Sequence, residues 1–299
     1  HGFPIVSISW RRQIPLFLDL GFRVICPDCI GYGRSIRSLF YVFLVSHLFT
    51  VCVPHHGITT EWAELETVVQ KMPSLAYQLQ FVSGAVEEYA TNRERTKQVL
   101  TALFHGQSPT GEYGTSLEGL KFDVLPSLKR SDVIEEEELE FYTDQFTQSG
   151  FTGGLNYYRS NRQNFEDDQT LLKDRSGDSK IYCPTLFIWP SFDIIITKEM
   201  AQAMALFVPD FTLREISGGT HWVMWERPTE VNQILKEWIS ERSYMSSRIT
   251  CIEPFLAQCI SSEKIPSQVV AIKLKMGFSE ANDNCWRIDV LPGTISAEQ

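Results

Sequence analysis

The chain has 299 residues, enough for a sizeable core and one or two domains. A formal net charge of −10 with no offsetting basic stripe argues against a nucleic-acid partner, and 43% hydrophobic against 21% charged residues is the balance of a soluble globular chain. Seven cysteines, an odd number spread over this length, argue against a disulfide framework and read as thiols in a reducing compartment. The lack of any Asn-x-Ser/Thr sequon fits a cytoplasmic address. The first residue is His1, not Met, so a fragment or processed product is expected, from which a targeting signal would have been lost.

Taken in order, His1-Gly2-Phe3-Pro4 is turn chemistry, and its backbone N–H groups can face a site. Ile14 to Leu20 reads as a helix stopped by Gly21, and Phe22 to Cys26 as a buried strand. Pro27 to Ser35 is a Gly-rich turn. The run 38–53, SLFYVFLVSHLFTVCV, is apolar but too short for a spanning helix, which needs about 18–20 residues. It reads as one or two buried strands, with no membrane span.

Residues 58–178 read as a helical lid. Trp62, Leu65, Val69 and Met72 share one helical face that ends at Pro73. Tyr77 to Phe81 begins a further helix, Glu87 to Phe104 is a charged helical pattern, and Gly106 to Gly119 a polar, Gly-rich loop. Glu135 to Glu138 is an acidic run suited to a solvated helix face, and Glu140 to Phe165 carries aromatics at helical spacing. Strand patterns return at Cys183 to Ile188 and Phe211 to Ile216. Lys198 to Val208 is amphipathic, with Met200, Met204 and Phe207 inward. Pro228 to Ile239 is an amphipathic helix with Val231, Ile234, Leu235, Trp238 and Ile239 on one stripe. Residues 243–299 show no sustained periodicity, although Val269 to Leu274 fits a strand.

Two loops carry the chemistry. Trp189-Pro-Ser-Phe-Asp193 follows one strand, and Gly218-Gly-Thr-His221-Trp222 follows the next. A carboxylate and an imidazole at consecutive strand ends form the orienting half of a nucleophile–His–acid triad. The nucleophile is not found. No Gly-x-Asp-x-Gly, Gly-x-Ser-x-Gly or similar elbow occurs anywhere in the chain. Cys26-Pro-Asp-Cys29 is a C-x-x-C, but its spacing fits no zinc module even with His55 and His56, and no metal is expected.

HGFP, SWRRQIP and CPDCIGYGRS together resemble the α/β-hydrolases of the epoxide hydrolase type. The resemblance runs on through SHLFTVCVP (46–54), AYQLQF (76–81), NYYR (156–159) and the Asp193 and His221 loops, covering roughly residues 1–242. It implies an α/β-hydrolase core with an inserted helical cap: residues 1–57 and 179–242 in the core, 58–178 in the cap, 243–299 an unassigned tail. It breaks between Ser35 and Ser46, where the family carries its fifth strand and nucleophile elbow. The central sheet is therefore expected to be incomplete.

By this resemblance His221 is the base, Asp193 its orienter, and Tyr77 and Tyr158 the cap tyrosines that hydrogen-bond the epoxide oxygen. Tyr157 stands where the family pattern has Trp. Phe3 and Trp10 are expected to line the pocket, and no cofactor is implied. The substrate implied is a small apolar epoxide, opened to a vicinal diol through an alkyl-enzyme ester. Without the nucleophile, normal turnover is not expected. A haloalkane dehalogenase-like enzyme is the alternative within hydrolases, disfavoured by the paired tyrosines, since a halide leaving group needs no proton. A non-catalytic ligand-binding remnant, or a product that does not fold, are the alternatives outside catalysis.

Overall fold

The structure, a computed structural model, describes residues 3–24, 26, 46–246, 272–276 and 286–290. Its centre is a strand in which one threonine leads into an unbroken apolar run. Thr185-Leu-Phe-Ile-Trp-Pro190 is buried at all six positions, as a strand covered on both faces by a parallel sheet's crossovers must be. Calling the strands β1 (Leu48–Val51), β4 (Thr185–Pro190) and β5 (Phe211–Ile216), the sheet order is β1-β4-β5. Both pairings are parallel, with Leu48 opposite Thr185 and Thr185 opposite Phe211.

Parallel neighbours need long crossovers. From β4 to β5 the crossover is α9 (Lys198–Ala203) and the turn after it. Thr197 caps α9 by accepting from the Met200 N–H at 3.3 Å. Met204 is fully buried in a cluster with Phe187 and Trp189, and Met200 and Phe207 pack against it, as the amphipathic pattern requires.

The crossover from β1 to β4 holds α2 (Leu65–Lys71), α3 (Tyr77–Ser83), α4 (Ala85–Tyr89) and α5 (Arg93–Leu103). A short antiparallel pair follows, β2 (Thr115–Ser116) with β3 (Gly119–Leu120). Then come α6 (Glu136–Ser149), α7 (Thr152–Arg159) and α8 (Asn161–Asp174). Asn92 starts α5 by accepting from the Arg95 N–H at 3.0 Å, and this cap divides the expected 87–104 helix in two. Gly150 and Ser160 divide the aromatic stretch 140–165 among α6, α7 and α8. The acidic run opens α6 as a capping box between Glu135 and Glu138. Glu136 and Glu140 pair with Lys97 across to α5, and Glu138 pairs with Arg11. Beneath them Phe104, Tyr142, Trp222 and Trp225 pack ring on ring, the last two at 5.3 Å.

Cα packing divides the chain into two units, residues 1–12 with 26–234, and residues 13–25 with 235–299. The three-stranded sheet, the lid helices and the site described below lie in the first. The second contains α1 (Ile14–Asp19), ended near Gly21 at φ +84°, and an antiparallel pair, β6 (Ile272–Met276) with β7 (Trp286–Val290). Of the strand expected at 269–274, Ile272 to Leu274 lie in β6, which runs on to Met276, and 269–271 lie outside the described residues. The last helix, α11 (Pro228–Ser246), buries Val231, Leu235 and Trp238 and runs beyond the boundary expected at 242.

Two expectations are corrected. Phe22 to Arg23 and their described neighbours Val24 and Cys26 form no strand, and Phe22 is 48% exposed. A strand exists only where a neighbour accepts its ladder, and no described segment pairs with this one. Trp62 lies ahead of α2, and Met72 falls after it and is exposed, so the helical face expected there is shorter. The 27–35 turn, the Ser35–Ser46 break and most of the tail lie outside the described residues. No described helix is long and apolar enough to cross a membrane.

Candidate active site

The turn after β4 is built around one carboxylate. Asp193 Oδ1 accepts from the N–H groups of Ile195 at 2.9 Å and Ile196 at 3.1 Å. Its Oδ2 lies 2.8 Å from His221 Nδ1, and the Asp193 side chain is 0% exposed. A buried carboxylate persists when its lone pairs are taken, and here three donors take them. Trp189 Nε1 braces the same turn by donating to the Ile196 carbonyl at 2.7 Å.

The β5 loop is tied to this turn strand by strand. Ser191 N–H donates to the Ile216 carbonyl, Phe192 N–H to the Gly219 carbonyl at 2.9 Å, and Gly218 N–H to Ser191 Oγ at 2.9 Å. Gly218 needs its φ of +74°, which an L side chain rarely adopts. Gly219 has no room for a Cβ, which would meet Val223 Cγ2 at 2.7 Å and Pro190 Cβ at 3.1 Å. Glu226, from α10 (Val223–Glu226), clamps Thr220 twice, accepting from its N–H at 2.9 Å and its hydroxyl at 2.7 Å. These ties fix His221 with Nδ1 toward Asp193. The neutral ring then carries its proton on Nδ1 and leaves Nε2 as the basic nitrogen.

Across a cavity of about 650 Å³ stand Tyr77, first residue of α3, and Tyr158, in α7. Their rings are 6.1 Å apart and their phenols hydrogen-bond each other. Burial pushes the Tyr77 phenol above its ordinary value, offset in part by hydrogen bonds with Gln78 and Tyr158. Tyr77 is therefore a proton donor throughout the neutral range. Phe81 packs edge-on to both rings, at 5.3 and 5.2 Å. Gln80, one residue before, holds β3 by donating to the Leu120 carbonyl and accepting from its N–H.

His221, Asp193, Tyr77, Tyr158 and Phe3 all line this one cavity. Tyr157 points elsewhere and is 49% exposed. Trp10, expected on the pocket, does not line it. It packs edge-on to Phe49 at 5.7 Å against the outside of the aromatic core, because its place is set by the 3-10 turn 7–10 rather than by the preceding HGFP turn. Among the described residues Asp193 is the one carboxylate lining the cavity, and it is already engaged by His221 and two N–H groups.

Several lining residues escape sequence reading. His105, Tyr113, Thr115, Ser116 and Leu117 come from the stretch between α5 and β3 that reads as a polar loop. A polar, Gly-rich composition marks a loop but does not say which surface the loop folds onto. Cys52, at the end of β1, is 3% exposed at φ +60°, and its sulfur lies within 4.8 Å of ligand atoms of Asp193 and His221. Burial, and then the charges of Asp193 and Glu226, push its thiol well above the ordinary value. A raised pKa keeps the thiol protonated at neutral pH, which disfavours it as a nucleophile. Cys26, of the C-x-x-C, donates its thiol to the Ser7 carbonyl at 3.1 Å.

No family model matches the chain. It is 26% identical over 292 residues to "Epoxide hydrolase srdG" of Neurospora crassa, covering 81% of this chain and 85% of that protein. It is 28% identical over 292 residues to "Epoxide hydrolase A" of Mycobacterium tuberculosis, covering 80% and 88%. It is 29% identical over 285 residues to "Bifunctional epoxide hydrolase 2" of Mus musculus, where it spans 80% of this chain but only 50% of that protein. Among solved structures, potato epoxide hydrolase I superposes with a TM-score of 0.63 at 22% identity, over 81% of this chain and 91% of that one. Epoxide Hydrolase A from Mycobacterium thermoresistibile gives 0.61 at 23% identity, over 80% and 89%.

Proposed function

We propose that this chain, an epoxide hydrolase-like α/β-hydrolase, binds small apolar epoxides in the 650 Å³ cavity but does not turn them over through an alkyl-enzyme ester. The observation that carries the first half is the convergence of two hydrogen-bonded phenols and a His–Asp pair on one largely apolar cavity. The second half rests on the sequence, in which no nucleophile elbow occurs.

In this reading Tyr77 and Tyr158 donate hydrogen bonds to the oxirane oxygen. In a chain that also carried a nucleophilic carboxylate, a phenol proton would neutralise the negative charge that grows on that oxygen as the carboxylate displaces it from the ring carbon. Burial of Tyr77 favours its neutral form, which suits a donor. In such a chain His221 Nε2 would take a proton from the water that attacks the ester carbonyl carbon, freeing the diol and the carboxylate, while Asp193 holds the ring in the required tautomer and balances the imidazolium. In the ester route a carboxylate must first bond to the oxirane carbon, and the described residues offer none on the cavity that is not already engaged. The alignment with the Neurospora protein runs over 292 positions while covering 81% of 299 residues, so it crosses positions this chain does not fill, which supports reading an absent segment.

The paired phenols favour an epoxide over an alkyl halide, because a departing halide needs no proton. The test is an aryl epoxide added to the unmodified chain, with binding read from tryptophan fluorescence and diol formation by chromatography. Saturable quenching is expected, with diol formation no faster than in His221→Ala. Turnover that His221→Ala abolishes would overturn the inactivity, and failure to bind would overturn the epoxide cavity.

A further inference from the structure

The C-terminus of α5 holds a residue that its backbone does not favour. Gly106 N–H returns to the Thr101 carbonyl at 2.8 Å, and His105 N–H to the Ala102 carbonyl at 3.2 Å. This pair of bonds is a Schellman motif, and it places His105 at the left-handed position where glycine is the usual residue. His105 sits there at φ +63°. The next position is held by a glycine for a different reason, since a Cβ on Gly106 would lie 2.7 Å from the Thr101 carbonyl oxygen. A side chain kept where the helix end asks for none points to a use for that side chain.

The ring has a fixed place on the cavity wall. It meets Tyr113 edge-on at 6.0 Å and Trp222 edge-on at 6.4 Å, and both of these rings also line the cavity. Among the described residues, no hydrogen bond engages the His105 ring. Burial lowers its pKa and His221 lowers it further, against the opposing carboxylates of Glu226 and Asp193. The ring is therefore neutral near pH 7, with one nitrogen to donate and one to accept. Thr115 and Ser116 bring hydroxyls to the same cavity, which elsewhere is lined by Phe3, Phe81, Leu103 and Leu120.

We propose that His105 is a specificity-determining residue of this cavity, hydrogen-bonding an uncharged hydroxyl or carbonyl oxygen that the ligand carries in addition to its oxirane oxygen. The ligand class is then an oxygenated epoxide rather than a plain hydrocarbon epoxide. The proposal rests on the epoxide-binding reading above. Tyr77 and Tyr158 engage the oxirane, and His105 reads a second oxygen.

The test uses two matched vicinal diols, the product class of epoxide opening: an alkane diol and its ω-hydroxy analogue. Dissociation constants are measured by tryptophan fluorescence for the native chain, His105→Gly and His105→Asn. Glycine removes the ring while suiting the backbone, so the variant is expected to melt no lower than the native chain. The preference for the ω-hydroxy ligand is expected to fall about tenfold in His105→Gly and to stay within about threefold of native in His105→Asn, which tolerates the left-handed conformation and still hydrogen-bonds. An unchanged preference in His105→Gly overturns the proposal and leaves the epoxide reading standing. If neither diol binds the native chain, the epoxide reading fails and this one with it.

Discussion

Asp193 holds both the site and the turn that carries it, and two substitutions separate those roles. Asp193→Ala deletes an acceptor used by the Ile195 N–H, the Ile196 N–H and His221 Nδ1. The Asp193 side chain is 0% exposed, so water does not readily replace it. Each buried donor left unsatisfied costs about 1–3 kcal/mol. The Ile196 N–H is buried and the other two donors are partly so, giving about 2–4 kcal/mol in all. Asp193→Asn keeps an oxygen for the two N–H groups and loses mainly the charge, about 1 kcal/mol. Its amide nitrogen then faces His221 as a donor, so the imidazole must carry its proton on Nε2 instead of Nδ1. Denaturant midpoints at pH 7 give the first comparison, and nitrogen-15 shifts of the His221 ring the second. The reasoning is refuted if both variants lie within about 0.5 kcal/mol of native, or if the asparagine ring keeps the Nδ1 proton.

Three further outcomes follow from the same structure. Gly219→Ala must push Val223 or Pro190 aside, costing about 1–3 kcal/mol and displacing the loop that ends in His221, so melting temperature and diol affinity both fall. Glu140 is held at about 2 by hydrogen bonds from Lys97 and Arg93, below its ordinary 4.5. A lowered acid pKa gives stability that is present above pH 4.5 and lost as pH falls toward 2; because the partners are exposed it amounts to about 0.2–1 kcal/mol, and Glu140→Gln should flatten that acid limb in low salt. His105 is shifted the other way for a base, down from 6.5, so below that pH the unfolded chain takes a proton the folded one resists. Stability should fall as pH drops through that range, and His105→Asn should remove part of the slope in a melting series from neutral to mildly acidic pH.

The elements legible in the sequence are those whose pattern is their own. β4 reads as a strand because five of its six residues, Leu186 to Pro190, are apolar without alternation, and α11 because Val231, Leu235 and Trp238 recur at helical spacing. Asp193 and His221 are legible because consecutive strand ends bring them together whatever else the chain does. The segment Phe22 to Cys26 misleads because a strand is a property of two segments, and its apolar residues say nothing about the neighbour. Trp10 misleads for a related reason: nearness in sequence to HGFP does not carry across a 3-10 turn. His105 is invisible because a positive φ is announced by glycine and seldom by histidine, and the fold-back of residues 106–119 that sets its surroundings depends on contacts with α5, Gln80 and Lys129.

The parts that bind and the parts that would react are separable in this chain, and that separation has a measurable sign. The His–Asp pair is held by the two loops bonding each other and by Glu226, and the phenols by α3, α7 and Gln80. None of these supports belongs to the segment where an elbow would stand, so the cavity stays formed without a nucleophile. A ligand that binds only the folded chain stabilises it by RT ln(1 + [L]/Kd), about 2.7 kcal/mol at a hundredfold excess over Kd. In a working hydrolase the epoxide would become diol during incubation, and the stabilisation would drift to that of the product. On the proposed reading the epoxide persists, so the upward shift in melting temperature should be the same after minutes and after many hours of incubation, and epoxide should be recovered intact. A shift that decays with time, at a rate that His221→Ala slows, would mean that the chain opens epoxides after all. A shift absent from the start would mean that the cavity does not take them.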